Sequence, residues 1–139
     1  MWIVDEKWFA DLPVIMGFDD GSQLEVCWEK FDDLSLTWNT IDVSMTPRAW
    51  VDWPLEWRRN AHAPLTSIVG GTVREVRTTS FLFETWNAAN RADRTAAWLT
   101  TGLWLVSDLG DLHVFNALDE NGLAATGPER DATHDWRPT

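Results

Sequence analysis

The chain has 139 residues, of which 45% are hydrophobic and 24% charged, and it contains 11 Trp, 6 Phe and no Tyr. This length and apolar content suit one ordinary globular domain and argue against global disorder. The formal charge of −11 argues against nucleic acid and anionic membranes as partners, because both bind proteins through cationic side chains.

The N-terminal segment carries acidic residues where a signal peptide needs basic and apolar ones. No apolar run approaches the ~20 residues that cross a bilayer. The lone Cys27 can form neither an internal disulfide nor a Cys-based zinc cluster. We therefore expect a cytoplasmic protein without metal or cofactor, and the scarcity of Lys beside frequent Trp, Arg and Thr suggests a bacterial source.

Three short segments in the first third of the chain predict an antiparallel meander. Residues 14–18 are apolar, and residues 24–28 and 34–38 alternate between apolar and polar side chains. An Asp-Gly turn lies in the first gap and an acidic turn in the second. Apolar alternation bounded by such turns is typical of hairpin strands.

The segment "TPRAWVDWPLEWRRNA" (46–61) predicts a short Trp-rich helical segment. Thr46 can cap a helix whose first turn holds Pro47. Pro54 prevents one continuous helix, so we expect two short turns or a helix that begins near Asp52. Three indoles fall at helical spacing and would share a face: Trp50, Trp53 and Trp57.

The β pattern returns after residue 68. Residues 73–84 read as strand, residues 87–97 as a long loop or short helix, and residues 103–106 and 112–115 as a hairpin. We predict an α+β fold that is mostly antiparallel β, with two sheet-forming halves joined by the Trp-rich helical segment. Residues 1–126 form a single domain in this interpretation, and residues 127–139 form a polar C-terminal tail.

No motif for catalysis is recognisable, and the enzyme class receives the least weight. His113 alternates with Leu112 and Val114, so it is either exposed or a hydrogen-bonded inner histidine. The stretch Asp119-Glu120-Asn121-Gly122 has turn chemistry, because Asn and Gly tolerate positive φ, and the spacing of its acids does not match a calcium loop.

The candidate partner-binding residues are three indoles and six turn acids. The indoles could anchor a partner at the centre of an interface, and the acids could attract a basic surface. The alternative for the acids is ordinary solvated turn tips, and for the indoles a cap that packs on the sheet. The residues are Trp50, Trp53, Trp57, Asp19, Asp20, Asp32, Asp33, Asp108 and Asp111.

Short strands, an acidic surface, many Trp and no catalytic signature resemble small bacterial immunity or interaction proteins as a class. The resemblance implies a non-enzymatic binding protein that neutralises a basic protein partner. Two alternatives are a small-ligand or carbohydrate-binding module that uses exposed Trp, and an assembly subunit. A homo-oligomer is possible, because unpaired edge strands invite pairing.

Overall fold

Nearly all regular structure is β-strand in the computed structural model, which describes residues 2–4, 8, 11–28, 33–49, 51–118 and 120–139, with the backbone alone for residues 2, 3 and 90–92. The strands are β1 (Trp2–Ile3), β2 (Val14–Gly17), β3 (Gln23–Trp28), β4 (Leu34–Trp38), β5 (Leu55–Glu56), β6 (Val73–Asn87), β7 (Asn90–Ser107), β8 (Asp111–Asn116), β9 (Asn121–Ala124) and β10 (His134–Pro138). One helix, α1, spans Ala63–Thr66.

The strands form antiparallel sheets. One sheet has the order β2-β3-β4, a larger one the order β10-β6-β7-β8-β9, and β1 pairs with β5. The central pair of the larger sheet is β6 and β7, which are joined by a tight turn at residues 88–89. The observed fold is therefore mostly antiparallel β.

The core lies between the three-stranded and the five-stranded sheet. Because side chains alternate along a strand, β3 turns Leu24 and Val26 to one face, and β2 places Val14 directly opposite Val26. These side chains pack against the inner face of β7 and β8, which contributes Leu103, Leu105, Leu112 and Val114. Val26, Leu112 and Val114 have no exposed surface.

Glu25 is a buried carboxylate that joins β3 to the segment after β4. Its two oxygens accept hydrogen bonds from the Gln23 amide, the Thr37 and Thr40 hydroxyls, and the backbone N–H groups of Thr40 and Ile41. Burial by itself would raise the pKa of Glu25, but these hydrogen bonds outweigh it and lower the pKa to about 2. The folded state therefore stabilises the ionised form of Glu25.

The predicted meander is confirmed, with β2, β3 and β4 close to the expected positions and pairing in that order. The predicted hairpin near residues 103–115 is confirmed as β7 and β8. On β2, β3, β7 and β8 apolar side chains of one face meet the core, whereas β4 contributes Leu34 and leaves Leu36 and Trp38 exposed.

The predicted Trp-rich helical segment is wrong for the described residues 46–49 and 51–61. Residues 55–56 form β5 instead, and the short helix α1 follows later. Pro54 cannot donate a backbone hydrogen bond, and it drives the preceding residue away from helical angles. Val51 has φ 52°, a left-handed conformation that also interrupts a helix.

The expected loop or helix at 87–97 is likewise wrong, because β7 runs through it from Asn90. Cross-strand pairing with β6 overrides the weak helical preference of the local sequence.

Asn121 and Gly122 do not form the predicted turn. They begin β9, and the turn before them is closed by the Ala117 N–H donating to the Glu120 carbonyl at 2.8 Å. Gly122 has a different role, since a Cβ there would lie 2.4 Å from the ring of Phe115. Asp119 lies outside the described residues.

The segment predicted as a polar tail contains β10, which pairs with residues 77–81 of β6. Its Trp136 contacts Trp104 edge-on, with ring centroids 5.6 Å apart.

We expect Glu25→Gln to unfold at a lower temperature than the wild type at pH 7. A neutral amide loses the charge-assisted hydrogen bonds. With its oxygen toward the backbone N–H groups, its NH₂ would face the Thr37 and Thr40 hydroxyls, which now donate to a carboxylate oxygen. Because the pKa of Glu25 is lowered from 4.5 to about 2, the wild type should lose stability as pH falls through that interval. Urea unfolding across this range should show a smaller pH dependence in the variant, and an equal dependence would contradict the assignment.

Candidate interaction site

The hairpin of β6 and β7 extends well beyond the sheet that contains it. β10 pairs with β6 only as far as Phe81, and β8 pairs with β7 only from Gly102 onward. Within the described residues, the remainder of the hairpin is paired with itself alone, apart from one hydrogen bond from the Leu82 N–H to the Thr133 carbonyl. We call residues 82–100 the ribbon. Six residues of β6 at ~3.3 Å each make it about 20 Å long.

The two faces of the ribbon both carry apolar side chains. Residues directly opposite each other in an antiparallel pair share a face. On one face Phe83 pairs with Ala97, and on the other Leu82 pairs with Trp98. Trp86 follows near the tip. Phe83, Trp86 and Trp98 are 40%, 57% and 47% exposed, so about half of each of these large aromatic side chains is open to solvent.

The ribbon has no net charge, although the whole chain carries −11. By sequence it contains two acids and two arginines. Arg94 forms an ion pair with Glu84 diagonally across the strands. The ribbon is therefore an extension without net charge on a strongly acidic body.

The chain as a whole exposes more surface than its mass requires. Its accessible surface is 8981 Å². A compact monomer of 15.9 kDa exposes about 7,400 Å², which leaves an excess of about 1,600 Å². An excess of this size is comparable to what one subunit contributes to a large protein interface.

A β-bulge marks the base of the ribbon. Thr79 pairs with Gly102, while Ser80 pairs with Thr100, so Thr101 is an additional residue in β7. Bulges of this kind bend a strand and increase its twist. Gly102 is required at this point, because a Cβ would lie 2.4 Å from the Nε2 atom of His113.

His113 is an inner histidine at this base. It is 7% exposed, its Nε2 atom lies 2.9 Å from the hydroxyl of Thr79, and its ring stacks on Phe115. Burial lowers the pKa of His113 to about 4. The ring is therefore neutral at physiological pH and supports the ribbon's attachment to the sheet.

Those of the predicted acidic residues that the structure describes lie away from the ribbon, and two of them bind groups on neighbouring strands or loops. Asp108 accepts from the Thr72 N–H at 2.8 Å and pairs with Arg74, while Asp111 accepts from the Trp104 indole at 2.9 Å. Both flank the turn at the far end of β7. The structure places Asp19 and Asp20 at one end of β3 and Asp33 at the other, about 20 Å away. Asp32 lies outside the described residues.

Of the three predicted indoles, Trp53 is 47% exposed and Trp57 is partly buried. Trp57 lines an open groove of about 520 Å³, and its Nε1 atom donates to the Met45 carbonyl at 3.2 Å. Val51 and Leu55 line the same groove. Trp50 lies outside the described residues.

Sequence reasoning missed the ribbon because residues 87–97 look like a polar connection. The signal that could have revealed it is the alternation of Phe81 and Phe83 on one strand with the run Ala96-Ala97-Trp98-Leu99 about a dozen residues later. Such an arrangement fits a hairpin with an unusually long reach.

Comparisons with protein-family models, with curated proteins and with solved structures found no match for this chain. Among the described residues, no helix is long and apolar enough to cross a membrane, and no group of three or more metal-ligating side chains occurs.

We expect Trp98→Ser to change the free energy of unfolding by less than about 1 kcal/mol, because the side chain packs little against the body. Leu112→Ala is the matched core control and should cost roughly 2–5 kcal/mol. Urea titrations at low protein concentration would compare the two. A large loss in Trp98→Ser would mean that the ribbon's aromatic residues stabilise the single chain.

We also expect the wild type to lose roughly 3 kcal/mol of stability as pH falls from 6.5 to about 4, because the unfolded chain binds a proton at His113 more readily than the folded one. His113→Gln should lack that part of the pH dependence. Urea unfolding at a series of pH values measures the stability of both proteins. An equal pH dependence in the two would contradict the assignment.

Proposed function

We propose that this chain is a non-enzymatic binding protein that docks onto another protein through the ribbon. The observation that supports the proposal is the set of exposed aromatic side chains on both faces of the ribbon, Phe83, Trp86 and Trp98. Large exposed apolar side chains grouped on one element are uncommon on monomers and often mark an interaction site. Trp in particular is enriched among the residues that dominate binding energy.

The backbone of the ribbon also suits it to docking onto another protein. Its outer edges carry N–H and C=O groups that a partner strand can pair with, so affinity can come from main-chain hydrogen bonds and specificity from the aromatic side chains. Because the ribbon is neutral, binding through it should depend little on salt.

A second candidate is neutralisation of a basic protein by the acidic body, as in an immunity protein. The observation that favours it is the formal charge of −11. Charge complementarity would speed association with a basic partner and would weaken as salt rises. The two candidates therefore differ in which part of the molecule binds and in how binding responds to ionic strength.

The test uses a shortened ribbon. Residues 84–96 are replaced by Asn-Gly, which joins the cross-strand partners Phe83 and Ala97 through a two-residue turn. Tagged wild type and shortened variant are incubated with extract of the native host at low and high salt, and the retained proteins are identified by mass spectrometry. Circular dichroism and the melting temperature establish that the variant is folded.

We expect a stoichiometric protein that wild type retains at both salt concentrations and the variant does not. Equal retention by both proteins, lost at high salt, would favour the acidic body. Retention of nothing by a wild type that is also monomeric when purified would contradict docking through the ribbon.

A further inference from the structure

The ribbon has two open edges, which differ in length. On β6 the open edge runs over about five residues, from Phe83 to Asn87. On β7 it runs over about a dozen, from Asn90 to Thr101, and within the described part of this edge no strand pairs with it. In the described pairing, residues 91–93 have no partner in β6, so the regular part of this edge runs from Arg94 to Thr100. The β7 edge contains no Pro and no Lys, and its charged residues, Arg91, Asp93 and Arg94, all lie in the half nearer the tip, so residues 95–101 carry no charge that would oppose edge-to-edge pairing.

We infer that the protein which docks on the ribbon is a second copy of this chain, with the β7 edges of two copies paired antiparallel about a two-fold axis near Ala96. This inference rests on the proposed function and names its partner. The product is a four-stranded ribbon with one acidic body at each end, and such an isologous contact closes as a dimer.

The distribution of charge favours this arrangement. Two bodies of the same sequence repel each other, because the chain carries −11 and most of its acids lie outside the ribbon. Contact through the ribbons places the bodies at opposite ends of a ~20 Å element, beyond the screening length of about 8 Å at physiological salt. The ribbon itself adds no net charge at the contact.

The register around Ala96 is favourable for the side chains. In an antiparallel pair with a two-fold axis normal to the sheet, residues whose numbers are equally distant from the axis lie opposite each other on one face. Ala96 then faces its own counterpart, which needs the least space. Arg94 of one copy lies opposite Trp98 of the other, a guanidinium–indole pair of the kind that stabilises cross-strand contacts.

The exposed area is consistent with a dimer. The chain exposes about 1,600 Å² more than a compact monomer of its mass. Obligate homodimers bury 2,000–5,000 Å² in total, or roughly 1,000–2,500 Å² per subunit. Edge-to-edge pairing of the ribbons would remove part of this surface, namely the outer edge of β7 and the flanks of Trp98 and Leu99 that face the joint.

The experiment compares two exposed ribbon positions, one on β7 at the proposed joint and one on β6 away from it. Ala96→Lys places two ammonium groups opposite each other at the axis, and like charges across strands are unfavourable. Thr85→Lys is the matched control on β6. Analytical ultracentrifugation of the purified proteins measures the dimer dissociation constant of each.

We expect a dimeric wild type, a dissociation constant raised at least about tenfold in Ala96→Lys, and little change in Thr85→Lys. A second measurement uses oxidation: Ala96→Cys should form a covalent dimer, while Thr85→Cys and the wild type, whose Cys27 lies in the body, should not. Melting temperatures show whether each variant is folded.

A wild type that is monomeric at every concentration would overturn the inference, and so would an unchanged dimer in Ala96→Lys or a dimer lost only in Thr85→Lys. If the purified protein is monomeric but ribbon-dependent capture from host extract still occurs, the proposed function stands and the partner is a different protein. If both fail, the ribbon is not a docking element.

Discussion

The pairing of β6 with β7 is the interaction on which the rest of the structure depends. The two strands share fourteen paired positions, and every other strand of the larger sheet is added to one of them or to β8. The inner face of β7 also supplies Leu103 and Leu105, which hold the three-stranded sheet in place. One hairpin therefore organises the core at its base and the exposed ribbon at its tip.

The sequence was sufficient to predict the strands that bury one face. β3 alternates Leu24, Val26 and Trp28 with residues of the other face, and the turns around it contain Asp and Gly, so both the strands and their order could be predicted. The Trp-rich segment could not be predicted in the same way. Helical spacing of indoles resembles an amphipathic helix, but Pro54 and the left-handed Val51 exclude that conformation.

The ribbon could not be predicted because its strand character does not come from a buried face. Residues 90–97 are short or polar, and what fixes them as strand is the partner across the hairpin, which for Ala97 is Phe83, about fourteen residues away. The candidate acids were recognisable as turn residues. The hydrogen-bond partners of these carboxylates could not be recognised, because Asp108 and Asp111 bind groups that the fold brings from other positions in the chain.

The closing strand of the larger sheet has a consequence for synthesis of the protein. β10 covers residues 77–81 of β6, yet it is translated about fifty residues later. At 5–20 residues per second, several seconds pass between the emergence of β6 and that of its partner. During this interval β6 presents one continuous unpaired edge from Val73 to Asn87, beside the aromatic side chains of the ribbon. A nascent chain in this condition is a natural substrate for chaperones, and neighbouring chains on one polysome are close enough to pair before they are released.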